Sequence, residues 1–589
     1  MFKKKLYSFL LQKNPQSFSA ILNPQSNYYI FKSLNHLASS NFGCCSKKEL
    51  TKFNSDQEEI MKSMPNQISQ PTLRNTKIRE KYSEEFDRTP HCSGCSKCGD
   101  WKRDTPLMTI QEGVREALRC LKCNDAPCQQ GCSTTIDIKT FIYNIQNKNW
   151  YGAAKVILSD NPLGLTCGQL CPISELCARN CNVSHTEQGP IKINRLQELA
   201  VRIFKEMGVP QIRDPSLKNL PPSYKTPIAL IGAGPASLSC ASFLGRLGYE
   251  NIHIFEKNKH GGGITTHEIP ENRAPIEEGL WEVEMVKQLG VKIHYGKQLG
   301  RDFSLEDLRE QGFESVFLGI GLQQPNMATN DKTLAPSVKK AQNAKNFSDS
   351  KKFLNEVFKL VKLEGKPNEA PKLKGHVLVL GIGDTALDCA RSAFRLGAER
   401  VSVAFRRGFQ DMRANDEIFE PARMEGINFI PYSAPISYKL DESGEIITAV
   451  EFDKSLPQNN DHNNLKYKKT NQKYELPVDY VIQAFGCQLP DEEWIQKIKK
   501  SNNLVDVHYE TGQTKAYEWL FVGGDAIGTK NLVDAVNDGK TASWYIHKYI
   551  QERNGYEVPK QPKLPGFFTA IDTVDLSTEI AGVRSEERR

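Results

Sequence analysis

The sequence has no run of 18 consecutive apolar residues, so nothing in it reads as a transmembrane helix. Net charge is absent from its main body. The formal charge of +7 is matched by seven lysines in residues 1–48, a stretch with no acidic residue, and the remainder holds 70 basic against 70 acidic residues. That balance gives no reason to expect nucleic acid as a partner. Residues 1–48 also lack arginine and any apolar segment long enough for a secretory signal. The expectation is a mitochondrial-type transit peptide, with a disordered leader of a cytoplasmic protein as the alternative. The 589 residues, 25% of them charged, are otherwise ordinary for a globular protein of three or four domains.

What the chain does have is cysteine at regular spacing. Of sixteen, eight lie between Cys120 and Cys181, as Cys120-x2-Cys123-x4-Cys128-x3-Cys132 and then Cys167-x3-Cys171-Pro172 with Cys177-x3-Cys181. A chain this long builds its own apolar core without disulfides, and clustered C-x2-C spacing then points to metal. Two [4Fe-4S] clusters are expected, and with them electron transfer in single steps. Where two clusters share such runs, the fourth cysteine of one run serves the other cluster. That rule groups Cys120, Cys123 and Cys128 with Cys181, and Cys132 with Cys167, Cys171 and Cys177. Cys92, Cys95 and Cys98 form a third group with no fourth ligand nearby, read as structural or incidental. Ile110 to Cys120 has a helical pattern with Val114, Leu118 and Leu121 on one face, and Ile136 to Leu158 also reads as helix.

After a proline-rich linker, Pro210 to Pro227, the pattern changes. Ile228–Ile231 reads as a strand entering Gly232-Ala233-Gly234-Pro235-Ala236-Ser237, then a helix, then a second strand ending on Glu256. The plan repeats with Val377–Leu380, the turn Gly381-Ile382-Gly383-Asp384-Thr385-Ala386, a helix, and a strand closing on Arg406-Arg407. Glycines at these turns admit a pyrophosphate against the backbone, at a helix N-terminus that favours anions. Glu256 can accept from ribose hydroxyls but repels a 2′-phosphate, which Arg406 and Arg407 would attract. The first site therefore suits FAD and the second NADPH. A late Gly523-Gly524-Asp525 turn before a helix from Asn531 is the closure a flavin site uses, and hydride passes between the two cofactors with no protein acid or base required. Asp453 to Lys473 is polar and expected as a surface loop.

From about residue 105 to 582 the chain resembles the N-terminal half of dihydropyrimidine dehydrogenase. The residues that carry the likeness include Arg119-Cys-Leu-Lys-Cys123, Ser159 through Cys167, Gly232 through Ser237, Val536 through Lys540 and Ser543 through His547. The small subunit of glutamate synthase is similar over fewer of these stretches. The resemblance implies a revised ligand set for the second cluster: Cys132, Cys171, Cys177 and Gln197, with Cys167 left out. It also implies FAD contacts at Gly232, Ala233, Gly234, Pro235, Ala236, Glu256, Gly262, Gly263, Ile264, Arg273, Leu299, Gly524, Asp525 and Asn531. NADPH contacts are implied at Gly383, Asp384, Thr385, Ala386, Arg406, Arg407, Arg413, Ala484, Phe485 and Gly486. His260-Gly261 departs from the family pattern, which has a bulkier residue there.

The expected class is α/β: an α-helical iron–sulfur domain (49–211) after the leader (1–48), then two Rossmann-like domains, the NADPH domain (325–485) inserted into the FAD domain (212–324 and 486–569), and a tail (570–589). In the family, an FMN-binding barrel and further clusters would follow, and this sequence ends at Arg589. The expected acceptor is therefore a separate FMN/iron–sulfur, pyrimidine-reducing chain. A glutamate synthase-like donor, a scaffold subunit and a shortened reading of a longer gene are the alternatives, and the resemblance also admits a homodimer.

Overall fold

The computed structural model describes residues 101–217, 219–327, 336–457, 467–499 and 503–573. The helical part comes first: α1 (Ile110–Leu118), α2 (Ile138–Gln146), α3 (Trp150–Asp160), α4 (Gly164–Leu170) and α5 (Ile193–Met207). The single helix expected over 136–158 is two. Lys148 sits at φ +58°, and Asp137 and Asn149 cap α2 and α3 through their side chains. Phe141, Ile145, Ile157, Leu196 and Phe204 build the core between these helices.

Two parallel five-stranded sheets follow. The first sets β1 (Ile228–Ile231), β2 (Ile252–Glu256), β3 (Lys292–Tyr295), β4 (Ser315–Leu318) and the late Leu520–Val522 in the order Leu520–Val522, β4, β1, β2, β3. The second contains β5 (Phe347–Asp349), β6 (His376–Leu380), β7 (Arg400–Ala404), β8 (Asn428–Ile430) and, from later in the chain, Tyr480–Gln483, in the order β5, Tyr480–Gln483, β6, β7, β8. The strand order reverses beside β1 in the first sheet and beside β6 in the second, leaving a crevice at the carboxyl ends of each. The chain enters and leaves the inserted unit side by side, where Gln324–Pro325 pairs antiparallel with Cys487–Gln488. β1 and β4 are buried along their whole length, as strands covered on both faces are.

Of the polar stretch 453–473, the described residues 453–457 and 467–473 are strand and not the loop the composition suggested, while 458–466 lie outside the described residues. Ile447–Pro457 and Tyr467–Pro477 pair antiparallel, with Ser433–Leu440 completing a three-stranded sheet. The outer strand is mostly exposed, so lysine, asparagine and glutamine serve it without apolar alternation. Tyr474 anchors it, stacked on Phe452 with ring centroids 5.3 Å apart. The described linker residues carry a bridge from Gln211 to Thr569 and a 3-10 turn at Pro222–Lys225.

Candidate nucleotide and cluster sites

The first fingerprint turn depends on close backbone approach. Gly232 lies at φ +87°, its N–H donates to Phe255 O at 2.8 Å, and a Cβ there would stand 2.6 Å from Gly319 O. Gly234 then caps α6 (Pro235–Leu247), whose first-turn N–H groups are open to an anion. At the end of β2 the buried Glu256 carboxylate accepts from Ala233 N at 2.7 Å and Asn258 N at 2.8 Å. This pins it beside the turn with lone pairs left for hydroxyl donors. Gly262 N donates to Ala233 O at 2.7 Å, which lays Gly262 and Gly263 across the turn and brings Ile264 to its mouth.

These residues open on a cavity of about 770 Å³. Gly232, Gly234, Pro235, Ala236, Glu256, Gly263, Ile264, Arg273 and Leu299 line it, with Gly524, Asp525 and Asn531 closing one side. Ala233 and Gly262 stand behind that lining. Gly524 is at φ +75° and donates to Asp538 Oδ2 at 2.9 Å, while burial lifts the Asp525 carboxyl to about 6, opposed by Lys351. Asn531 precedes the long helix Leu532–Arg553, which presses on α6 so closely that a Cβ on Gly539 would lie 2.0 Å from Ala236 O.

The second turn reaches the same cavity through Asp384 and Thr385, and Gly486, after the Tyr480–Gln483 strand, lines it as well. Gly381, at φ +126°, passes beneath Ala484, where a Cβ would lie 2.2 Å from Ala484 O. Gly383 caps α7 (Asp384–Arg395) and faces open space, while Ala386 is buried in the core below. Asp384 accepts from Asn415 N at 2.9 Å and Asn415 Nδ2 at 2.8 Å. Phe485 is exposed at the rim. Beyond β7, Arg406 and Arg413 are exposed and Arg407 half-buried. These three lie outside the cavity lining, and none makes an ion pair among the described residues.

Residues that no motif announced join the two units. Arg273 meets Asp388 at 2.6 Å, Lys351 meets Glu268 at 2.5 Å, and the buried Lys362 donates to Thr265 O at 3.1 Å and Ala274 O at 2.7 Å. Arg273, expected against FAD alone, thus also ties its loop to α7. Burial lowers the Lys362 ammonium to about 8 and raises the Asp388 carboxyl to about 6, the latter opposed by Arg273.

The cysteines fall into two crossed groups. Cys120, Cys123, Cys128 and Cys181 line one small hollow with Ala126, Pro127 and Val183. Cys171 hydrogen-bonds with Cys167 and has Cys177 and Cys132 as its other thiol neighbours. Left-handed backbone at Lys122, Ala126 and Thr135 bends the loops around the thiols. Asn182 Nδ2 donates to Cys123 Sγ at 3.3 Å. Burial, helped by Cys181 and Cys120, pushes the Cys128 thiol up to about 11, a cost that iron would reverse by binding thiolate. Among the described residues no three His, Cys, Asp or Glu groups converge on a single ion, whereas four thiols around a hollow fit a cluster. Gln197, buried on α5, donates through Nε2 to Gly164 O at 2.7 Å on α4, the helix that carries Cys167 and ends at Cys171. Both candidates for a fourth ligand, Gln197 and Cys167, therefore lie in the α4–α5 layer. The buried Glu282 accepts from Leu165 N at 2.9 Å and Thr166 N at 3.0 Å, holding the start of α4. Leu170 and Pro172, on either side of Cys171, line the large cavity, so the second thiol group borders the nucleotide site.

Residues 226–542, more than half of the chain, match the pyridine nucleotide-disulphide oxidoreductase family, and the chain belongs to it. Residues 92–209 match the 4Fe-4S cluster domain II of dihydropyrimidine dehydrogenase. More particularly, the chain is 28% identical over 452 residues to the NAD-dependent dihydropyrimidine dehydrogenase subunit PreT of Escherichia coli, covering 76% of this chain and 96% of that protein. The Salmonella typhimurium subunit of the same name is 29% identical over 450 residues, with 76% and 97% covered. Among solved structures, Mycobacterium tuberculosis FprA in complex with NADPH aligns with TM-score 0.45 and 13% identity over 60% of this chain and 87% of its own. Lactococcus lactis thioredoxin reductase aligns with TM-score 0.41 and 20% identity over 56% and 100%. The chain is a flavin and iron–sulfur NAD(P)H oxidoreductase that resembles the N-terminal half of dihydropyrimidine dehydrogenase. No helix among the described residues is long and apolar enough to cross a membrane. The leader and Cys92, Cys95 and Cys98 lie outside the described residues, and the relatives, being bacterial, lend a mitochondrial address no support.

Proposed function

We propose that the chain oxidises NADPH at FAD and delivers the electrons, through two [4Fe-4S] clusters, to a separate FMN/iron–sulfur chain that reduces a pyrimidine. Bound FAD would take hydride from the nicotinamide, and the clusters would carry its electrons away singly. The protein's share is placement. The Gly232–Ala236 turn and the start of α6 seat a pyrophosphate, Glu256 takes ribose hydroxyls, and Asp525 with the helix from Leu532 closes over the flavin end. Cys120, Cys123, Cys128 and Cys181 would hold one cluster and Cys132, Cys171, Cys177 and Gln197 the other.

One observation carries the reading: both fingerprint turns and the segment around Cys171 open on one cavity. The relatives are named NAD-dependent, yet Arg406, Arg407 and Arg413 make no ion pair among the described residues, a set that suits the 2′-phosphate of NADPH. Those relatives are also named as subunits, which supports a separate acceptor chain. Anaerobic titration of the purified protein with NADPH and with NADH tests this. NADPH should bleach the flavin and iron–sulfur absorbance at the lower concentration. Bleaching by neither nucleotide would falsify the reading.

A further inference from the structure

α1 turns its apolar side to solvent. Ile110, Val114 and Leu118 recur at helical spacing and Leu121 extends the stripe, a pattern that ordinarily faces a core. The buried residues of the helix are instead Gly113, Glu116 and Ala117. Ile110 is 52% exposed, Leu118 64% and Leu121 67%. The inversion has a structural cause. Glu116 is required inside, where Oε1 accepts from Arg119 Nη1 at 2.7 Å and Lys192 N at 3.0 Å. Gly113 lets the helix approach Leu199, whose Cδ2 would lie 2.3 Å from an added Cβ. Tyr143 on α2, half exposed, extends the surface: Lys122 Nζ lies 4.6 Å from its ring centroid, and Gln146 of the same helix donates to Ala117 O at 2.6 Å.

This apolar face is continuous with the first thiol group. Leu121 and Lys122 belong both to the exposed surface and to the wall of the hollow lined by Cys120, Cys123, Cys128 and Cys181. The second group borders the nucleotide cavity through Leu170 and Pro172. The thiol group that does not border the nucleotide cavity thus opens beside this exposed face, and its Cys120, Cys123 and Cys128 are themselves partly exposed. We propose that the face formed by Ile110, Leu118, Leu121 and Tyr143 docks an iron–sulfur electron-carrier protein. The carrier's apolar contact would exclude water over the thiol quartet, and Lys122 would meet a carboxylate at the rim. The inference rests on the electron-transfer reading above. Contiguous exposed apolar residues mark interaction surfaces, and a patch this small suits a transient redox encounter. A stable dimer of this chain would need roughly 20–30 residues a side.

The test uses the full chain loaded with flavin and iron, and a bacterial ferredoxin with two [4Fe-4S] clusters as the probe. The double variant Ile110→Asp/Leu118→Asp changes only exposed positions. Its Kd for ferredoxin by titration calorimetry, and its KM in NADPH-driven ferredoxin reduction, should rise at least about tenfold. Its visible iron–sulfur spectrum and its reduction of a small dye should match the unmutated protein, and Ile110→Val/Leu118→Met should bind normally. An unchanged Kd, or no ferredoxin binding by the unmutated protein, overturns the proposal. So does a lower sedimentation coefficient for the Asp variant, which would reveal a second copy on this face. A photo-cross-linking residue at position 110 that captures residues 1–100 overturns it as well. Failure of the unmutated protein to reduce dye strikes the electron-transfer reading instead, and leaves the Kd comparison standing.

Discussion

Replacing Arg406 and Arg407 together by alanine isolates the basis of nucleotide choice. Both follow β7 at the carboxyl end of the second sheet, and neither makes an ion pair among the described residues. Their loss should therefore leave the melting temperature unchanged, since no internal partner is stranded. A charge-assisted hydrogen bond to phosphate contributes about 1.5–3 kcal/mol, and the exposure of Arg406 argues for the low end. Two such contacts give about 3 kcal/mol, or a rise of about 100-fold in KM for NADPH. NADH lacks the 2′-phosphate and should be oxidised by the variant much as before. Steady-state dye reduction with each nucleotide measures the ratio. An equal loss for both nucleotides, or an unmutated protein that already prefers NADH, refutes the assignment.

Gly232→Ala should yield protein without flavin absorbance, because the added methyl meets Gly319 O and the backbone must hold φ +87°; retention of stoichiometric FAD would count against the first site. Gln197→Ala should lose iron and the signal of one cluster, whereas Cys167→Ser should keep both; the reverse result in iron analysis and low-temperature magnetic resonance reassigns the fourth ligand to Cys167. Burial raises the Asp525 carboxyl from 3.8 to about 6, so the folded flavin-free protein keeps that proton to higher pH than the unfolded chain does. Stability from this group falls as pH rises from about 4 to about 6 and is level above. Asp525→Asn should consequently gain more in thermal melts at pH 7 than at pH 5, and equal gains would contradict a raised carboxyl.

The nucleotide turns were legible because their requirements are local. A strand, glycines that must pass under another backbone and a helix N-cap lie within a dozen residues, and the structure places Gly232, Gly381 and Gly383 in those roles. The strand pair 447–457 and 467–477 was illegible because its outer strand is held by backbone pairing and a few aromatic contacts, with little apolar alternation to read. The links Arg273–Asp388, Lys351–Glu268 and Lys362 to Thr265 and Ala274 join residues far apart in sequence, for which no local pattern exists. The stripe on α1 was legible as a helix face, but its direction was not. Periodicity says which residues share a side, and the internal partners of Glu116 decide which side turns inward.

By itself the sequence determined the chemistries present: thiols at cluster spacing, two glycine turns for nucleotides, an acid ending one strand and arginines ending the other. These follow from residue type and short spacing, which any fold of the chain must carry. Tertiary structure decided how they are combined. It brings Cys181 to the first cysteine trio and Cys132 to Cys171 and Cys177, because α2 to α5 fold the two runs against each other. It opens both turns on one cavity because the second sheet is inserted in the first. It also leaves the apolar side of α1 in water, because packing inside was given to Glu116, Ala117 and Gly113.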